Sequence, residues 1–164
     1  MERLATGQGH RWRTFVGRFV LVATVLTLAS TEAAEAPDPA ALKALVEAKS
    51  LRCTFGGGTV GDWRGGELKK QKDRSLGGPL QFDAINHKTR TARLIGNQGA
   101  GDISVFLTSA GVHFIEQTAF GSVMYTSIFP FRVGDAFAAV TSRHISLLGA
   151  PLPSQYHGTC KVWE

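Results

Sequence analysis

The sequence predicts an all-β fold: an antiparallel meander of about eight short strands, closed into a small barrel or sandwich, with a short helix ahead of it. Two observations carry this. Between Thr89 and Ile145, apolar residues recur at alternate positions: Ala92 and Leu94; Ile103, Val105 and Leu107; Val112 and Phe114; Val123, Tyr125 and Phe129; Phe137 and Ala139. A period of two lines one face of a pleated strand, so each set reads as a half-buried β-strand. The second observation is a cysteine pair, Cys53 and Cys160, near the two ends of the domain. A disulfide needs the two Cα atoms within about 7 Å. Joined, the cysteines make the first and last strands neighbours, which in a meander requires the sheet to curl round on itself.

The chain has 164 residues, room for one domain with a real core. Its first segment reads as a signal peptide over residues 1–33. Arg3, Arg11, Arg13 and Arg18 form a basic region, Phe19 to Ser30 is apolar, and small residues around Ala33 and Ala36 offer two cleavage points. Cleavage after Ala33 avoids placing Pro37 directly after the cut. The apolar run is shorter than the ~20 residues of a spanning helix, and no second long apolar run follows, so no membrane span is expected after processing. The expected address is periplasmic or secreted, an oxidising setting that favours the disulfide.

Residues 37–164 then form the single domain. Pro37 to Lys49 reads as a helix: Asp38 can cap it, Pro39 suits the first helical position, and Leu42, Leu45 and Val46 make one stripe. Such a short helix is marginal alone and must lay that stripe on the sheet. Ser50 to Phe55 is the first expected strand, with Leu51, Cys53 and Phe55 on one face. Gly56-Gly57-Gly58-Thr59-Val60-Gly61 matches Gly-x-Gly-x-x-Gly. Asp62-Trp63-Arg64-Gly65-Gly66 follows it, where a dinucleotide site needs a helix. A flexible loop is expected, with Trp63 anchoring it on the core. Arg64, Lys69, Lys70, Lys72 and Arg74 continue it as a solvated basic loop. Glu67 and Asp73 interrupt the charge and aromatic residues do not interleave, so no nucleic-acid site is read there.

Pro79 to Asn86 is the next expected strand, with Leu80 and Phe82 inward and a turn at His87-Lys88. The meander breaks at Gly96-Asn97, Gly99-Ala100-Gly101-Asp102, Ser109-Ala110-Gly111, Phe120-Gly121 and Gly134-Asp135. Leu147 to Pro153 is expected to be a loop, set off by Gly149, Pro151 and Pro153. Gln155 to Trp163 is the last strand, and Gly158 within it signals a bulge or close backbone approach. Phe82, Phe106, Phe114, Phe129 and Phe137 are expected to fill the interior of an eight-stranded barrel.

Chemistry is sparse. His87, His113, His144 and His157 show no metal-ligand spacing, and His113 and Glu116 should face opposite sides of one strand, so no metal or other cofactor is assigned. No Gly-x-Ser-x-Gly occurs and no catalytic residue is named. The candidate ligand or partner contacts are Arg143, His144, Tyr156 and Glu116. The first three could share one barrel rim and present a forked donor to an anionic group. Glu116 shares a face with Val112 and Phe114, so it lies inward or at the strand's wet end. Arg93 and Arg143 are its candidate partners; Arg143 also has Asp83 and Asp135 within its choices.

Leu51-Arg52-Cys53-Thr54-Phe55, His113-Phe114-Ile115-Glu116, Ser142-Arg143-His144 and Ser154-Gln155-Tyr156-His157-Gly158-Thr159-Cys160 together resemble a group of small exported proteins of proteobacteria with no assigned activity. The likeness covers nearly all of the mature chain and implies export and a disulfide. More loosely, the chain is similar to periplasmic lysozyme inhibitors, small barrels whose cysteines tie the end strands. Their inhibitory loop carries a Ser-Gly motif ahead of a tyrosine, a pattern that Ser109-Ala110-Gly111-Val112 lacks. The leading functional expectation is a non-enzymatic envelope protein binding a protein or small ligand. The rivals are a carrier of an apolar molecule inside the barrel, an enzyme using the Arg143, His144 and Tyr156 rim, and a lysozyme-inhibitor-like protein.

Overall fold

The computed structural model describes residues 38–96, 99–119, 121–147 and 149–164. The expected signal peptide and its cleavage points lie outside them. A short helix, α1 (Pro39–Glu47), precedes nine strands: β1 (Leu51–Arg64), β2 (Glu67–Ser75), β3 (Leu80–Asn86), β4 (Thr91–Gly96), β5 (Gly99–Thr108), β6 (Gly111–Gln117), β7 (Val123–Val133), β8 (Ala136–Leu147) and β9 (Ala150–Val162). All pairings are antiparallel. Strands β1 and β3 to β9 form an eight-stranded barrel that closes where β1 pairs with β9; β2 is an added ninth strand hanging from β1.

Cys53 faces Cys160 across that seam, and the two are joined, with Cα atoms 4.0 Å apart. The disulfide and the closure it implied are both present. Helix α1 begins as its sequence suggests: the Asp38 carboxylate accepts from the Ala40 amide at 2.9 Å, and Pro39 occupies the first turn. Ala41, Leu45 and Ala48 are buried in the same core as Leu51, Ile128 and Phe137. The helix packs against β6 and β7. It thereby covers the end of the barrel where β1 starts and β9 finishes.

The core is solid. Phe82 and Phe114 stack at 4.1 Å between ring centroids, and with Phe137 they are the largest fully buried side chains. Phe106 and Phe129 do not join them: Phe106 is exposed and Phe129 half-buried on the outer wall. For Phe129 the cause is the phase of β7, opposite to expectation. Met124, Thr126, Ile128 and Pro130 point inward, leaving Tyr125 exposed. Thr126 is tolerated inside because its hydroxyl bonds that of Thr141 on β8 at 2.8 Å.

The glycine-rich stretch after Phe55 is not a loop. It continues β1 as far as Arg64, and the basic segment returns beside it as β2, turning at Gly65-Gly66. A bulge between Phe55 and Gly58, with Gly57 at φ 77°, lets β1 keep pairing with β9. Gly58 is needed because the Tyr156 ring crosses it: a Cβ there would meet the Gln155 carbonyl oxygen and the ring itself. Trp63 is an exposed residue near the hairpin tip, not an anchor on the core. Gly99-Ala100-Gly101-Asp102 is strand rather than turn, registered against Gly96 to Arg93. The expected Leu147–Pro153 loop is likewise a continuation of the β8–β9 hairpin. Pro151 and Pro153 lie beyond the last β1–β9 pair, Val60–Ser154, on an edge where no amide hydrogen is required.

Candidate functional site

The end of the barrel opposite α1 is open, and the sequence explains the opening. Residues directly opposite in an antiparallel pair share a face. Gly101 opposes the buried Leu94, and Gly99 opposes Gly96, so three inward positions in one corner carry no side chain. Nothing lies within 4 Å of a Cβ built on any of them. The result is a depression of about 510 Å³ between these glycines and Leu76, Leu80, Leu94, Met124, Glu116 and Arg143.

Glu116 on β6 pairs with Met124 on β7, which pairs with Arg143 on β8. The three therefore form one inward row, with a carboxylate and a guanidinium two strands apart, about 9–10 Å between backbones. Glu116 and Arg143 also border a smaller neighbouring depression of about 300 Å³ with Thr118, Ser122, Val123 and Ile145. Among the described residues neither has an ion-pair or hydrogen-bond partner. Their rivals are committed elsewhere. Arg93 is held by Asp83 through two bonds of 2.8 Å, and Asp135 by Lys161 at 2.7 Å.

Tyr156 also points inward, on the row below. Its hydroxyl donates to the Asp73 carboxylate of β2 at 2.7 Å. Burial, then that hydrogen bond and the Asp73 charge, push its pKa up, while a Ser154 hydrogen bond and the Arg143 charge act against them. Tyr156 thus ties β2 to the barrel and lies next to the rim without reacting at it. His144 is not brought to the site. One residue from Arg143, it points the opposite way by the strand's period of two. It is exposed on the outer wall, beside Ser142, Lys70 and Pro153.

A second polar cluster, not singled out from the sequence, lies on the outer face of β6 and β7. His113 Nε2 is 2.9 Å from the Thr108 hydroxyl, and its Nδ1 is 2.9 Å from Ser127 Oγ and 3.0 Å from the Tyr125 hydroxyl. Thr108 Oγ1 already accepts from the Ala110 amide and donates to the Gly111 carbonyl. That network assigns the ring proton to Nε2, leaving Nδ1 as acceptor. Both ring nitrogens are occupied, and the Ser127–His113 contact braces two strands, which are paired in register at these residues. Spacing of two and fourteen across a hairpin carries little signal in sequence, which is why the cluster was missed.

Burial lowers the pKa of His113, and burial together with the Lys49 charge lowers that of His87. A base whose folded pKa lies below its unfolded value of about 6.5 binds more protons when unfolded. Stability should therefore fall as pH drops below about 7 toward 5. Denaturant midpoints across that range check the slope, and His87→Gln with His113→Gln should flatten it.

Among the described residues no cluster of three His, Cys, Asp or Glu side chains is placed to hold a metal ion, and no helix is long and apolar enough to cross a membrane. Compared with family models, curated proteins and solved structures, the chain has no match in any of the three.

Proposed function

We propose that the protein is an exported, non-enzymatic binding protein of the cell envelope that holds a small polar ligand in the open end of its barrel. The single observation that carries the reading is the glycine-built depression of about 510 Å³ with Glu116 and Arg143 on its wall. A packed barrel would ordinarily fill such inward positions with side chains. Leaving three of them as glycine, beside two charges without partners among the described residues, suits a ligand that brings its own polar groups. Export is supported by the basic and apolar pattern of residues 1–33 and by the disulfide; the address is periplasmic or extracellular. Three large rings buried in the core, those of Phe82, Phe114 and Phe137, favour binding at the mouth over carriage of an apolar molecule inside.

Gly101→Phe tests the site. Gly101 has no positive φ and open space around its Cβ position, so the variant should fold with an unchanged melting temperature. A thermal-shift screen of amino acids, dipeptides, sugars and carboxylates against residues 37–164 should find a stabilising ligand. Gly101→Phe should abolish that stabilisation, and Arg143→Met or Glu116→Gln should weaken it at least tenfold. A ligand that binds the folded Gly101→Phe variant as tightly as the wild type would overturn the proposal.

A further inference from the structure

Past the pair Val60–Ser154, β1 leaves β9 and pairs with β2 alone. Among the described strands, β2 has no other partner. The tip of this hairpin therefore reaches past its last bond to β9 as a finger flanked by Pro153, and Leu76, just after it, lines the open depression. At the tip Trp63 and Leu68 are opposite in register, so they share a face, and they are 44% and 40% exposed. Behind them on the same face Lys70, Lys72 and Arg74 are exposed, and none is held in an ion pair among the described residues; Lys69, opposite Asp62, faces the other way.

We infer that this hairpin docks the protein on an anionic lipid surface. A lipid interface is layered: acyl chains lie beneath charged head groups. The finger has the matching order along its length, with Trp63 and Leu68 at the tip and the cations behind. Tryptophan suits the boundary because its ring is apolar with one polar edge. Lysine stems cover apolar surface while their ammonium groups reach the phosphates. The segment 61–75 carries Arg64, Lys69, Lys70, Lys72 and Arg74 against Asp62, Glu67 and Asp73, an excess of positive charge. Of those acids, Asp73 is bonded to Tyr156.

A plainer role for the lysines is to blunt an exposed strand edge against aggregation. That accounts for the cations but leaves the exposed Trp63–Leu68 pair at the tip unexplained, since an edge protected from association gains nothing from it. An anionic glycan would also meet the lysines, yet a polymer is gripped along a groove rather than by an apolar tip. Docking does not depend on the ligand reading. It would place the open end of the barrel near the lipid surface.

The compact unit Glu35–Glu164 contains the whole described core and the disulfide, and it is the protein to use. Sedimentation with phosphatidylglycerol–phosphatidylcholine vesicles should carry it down at low salt, whereas pure phosphatidylcholine should not. Tryptophan emission should shift to the blue on binding. Lys70→Gln, Lys72→Gln and Arg74→Gln should each weaken binding about fivefold. Trp63→Ser with Leu68→Ser should remove the blue shift and most of the binding. These side chains are exposed, so the variants should melt with the wild type, which circular dichroism checks. Absence of binding to the anionic vesicles overturns the proposal, as does binding that a variant combining Lys70→Gln, Lys72→Gln and Arg74→Gln retains. Equal binding to dextran sulfate, unaffected by Trp63→Ser and Leu68→Ser, would replace the lipid surface with a soluble polyanion.

Discussion

Breaking the Cys53–Cys160 bond should cost about 4–5 kcal/mol of stability, the value the chain-entropy model gives for a crosslink spanning about 100 residues; the separation here is 107. Domains of this size are stable by only about 5–15 kcal/mol, so the bond carries about a quarter of the total or more. Its position limits how it acts. The seam between β1 and β9 is also held by a ladder running from Leu51–Val162 to Val60–Ser154, so the reduced barrel can still close. The loss falls on the unfolded chain, which becomes free to expand. Both cysteines are fully buried, so reductant should reach the bond only after the barrel opens. The expected result is native protein that resists dithiothreitol at 25 °C and unfolds at much lower urea once reduced. The Cys53→Ala/Cys160→Ala variant should behave like the reduced protein, with a small extra loss from missing sulfur volume. A urea midpoint that barely moves would mean that the seam is formed in the unfolded chain as well.

The same seam shows why the barrel was legible in the sequence. Period-two alternation in β4, β6 and β8 points to the strands and the two cysteines to closure, and each concerns side chains whose burial follows directly from their chemistry. β7 was misread because its outward residues, Val123, Tyr125 and Phe129, are as apolar as its inward ones. The true phase rests on Thr126 finding Thr141 across the sheet at 2.8 Å, a pairing that appears only once the register is known. The glycines misled for a related reason. Gly58, read as part of a loop, is not where the chain loosens but where two strands come close, like Gly158, which was read as a bulge or close approach and whose Cβ would run into the Thr54 carbonyl oxygen. Absence of a side chain looks the same in sequence whether it serves a turn or a close crossing.

The candidate site divides along similar lines. Glu116 and Arg143 were named from sequence, and the structure sets them in one row with Met124 between them. His144 could never have joined them, since neighbours on a strand face opposite ways. What sequence reading missed is the cavity itself. It is made by Gly96, Gly99 and Gly101, residues read as turn chemistry, and a search for reactive side chains passes over a site defined by missing ones.

Phe114→Ala should be the most damaging single core substitution, and it separates the mouth-binding reading from that of an apolar carrier. The Phe114 ring is 1% exposed and stacks on Phe82 at 4.1 Å with 12° between the planes. Truncation of a buried phenylalanine costs about 3–5 kcal/mol through lost burial and the cavity left behind. The stacked pair adds about 0.5–1.5 kcal/mol within that figure. The hole would be bordered by Phe82 and by Val105 and Thr126, the register partners of Phe114. Thr126 is already bonded to Thr141, so the new space offers water little and should stay apolar. Benzene should then stabilise Phe114→Ala in proportion to its occupancy, while leaving the wild type, in which the Phe114 ring takes that space, at its own melting temperature. Benzene or a longer alkane that raises the wild-type melting temperature saturably, and still does so in Gly101→Phe, would require a usable space within the wild-type barrel. The open glycine corner would then be an entrance rather than the binding site, and the carrier reading would displace the one proposed here.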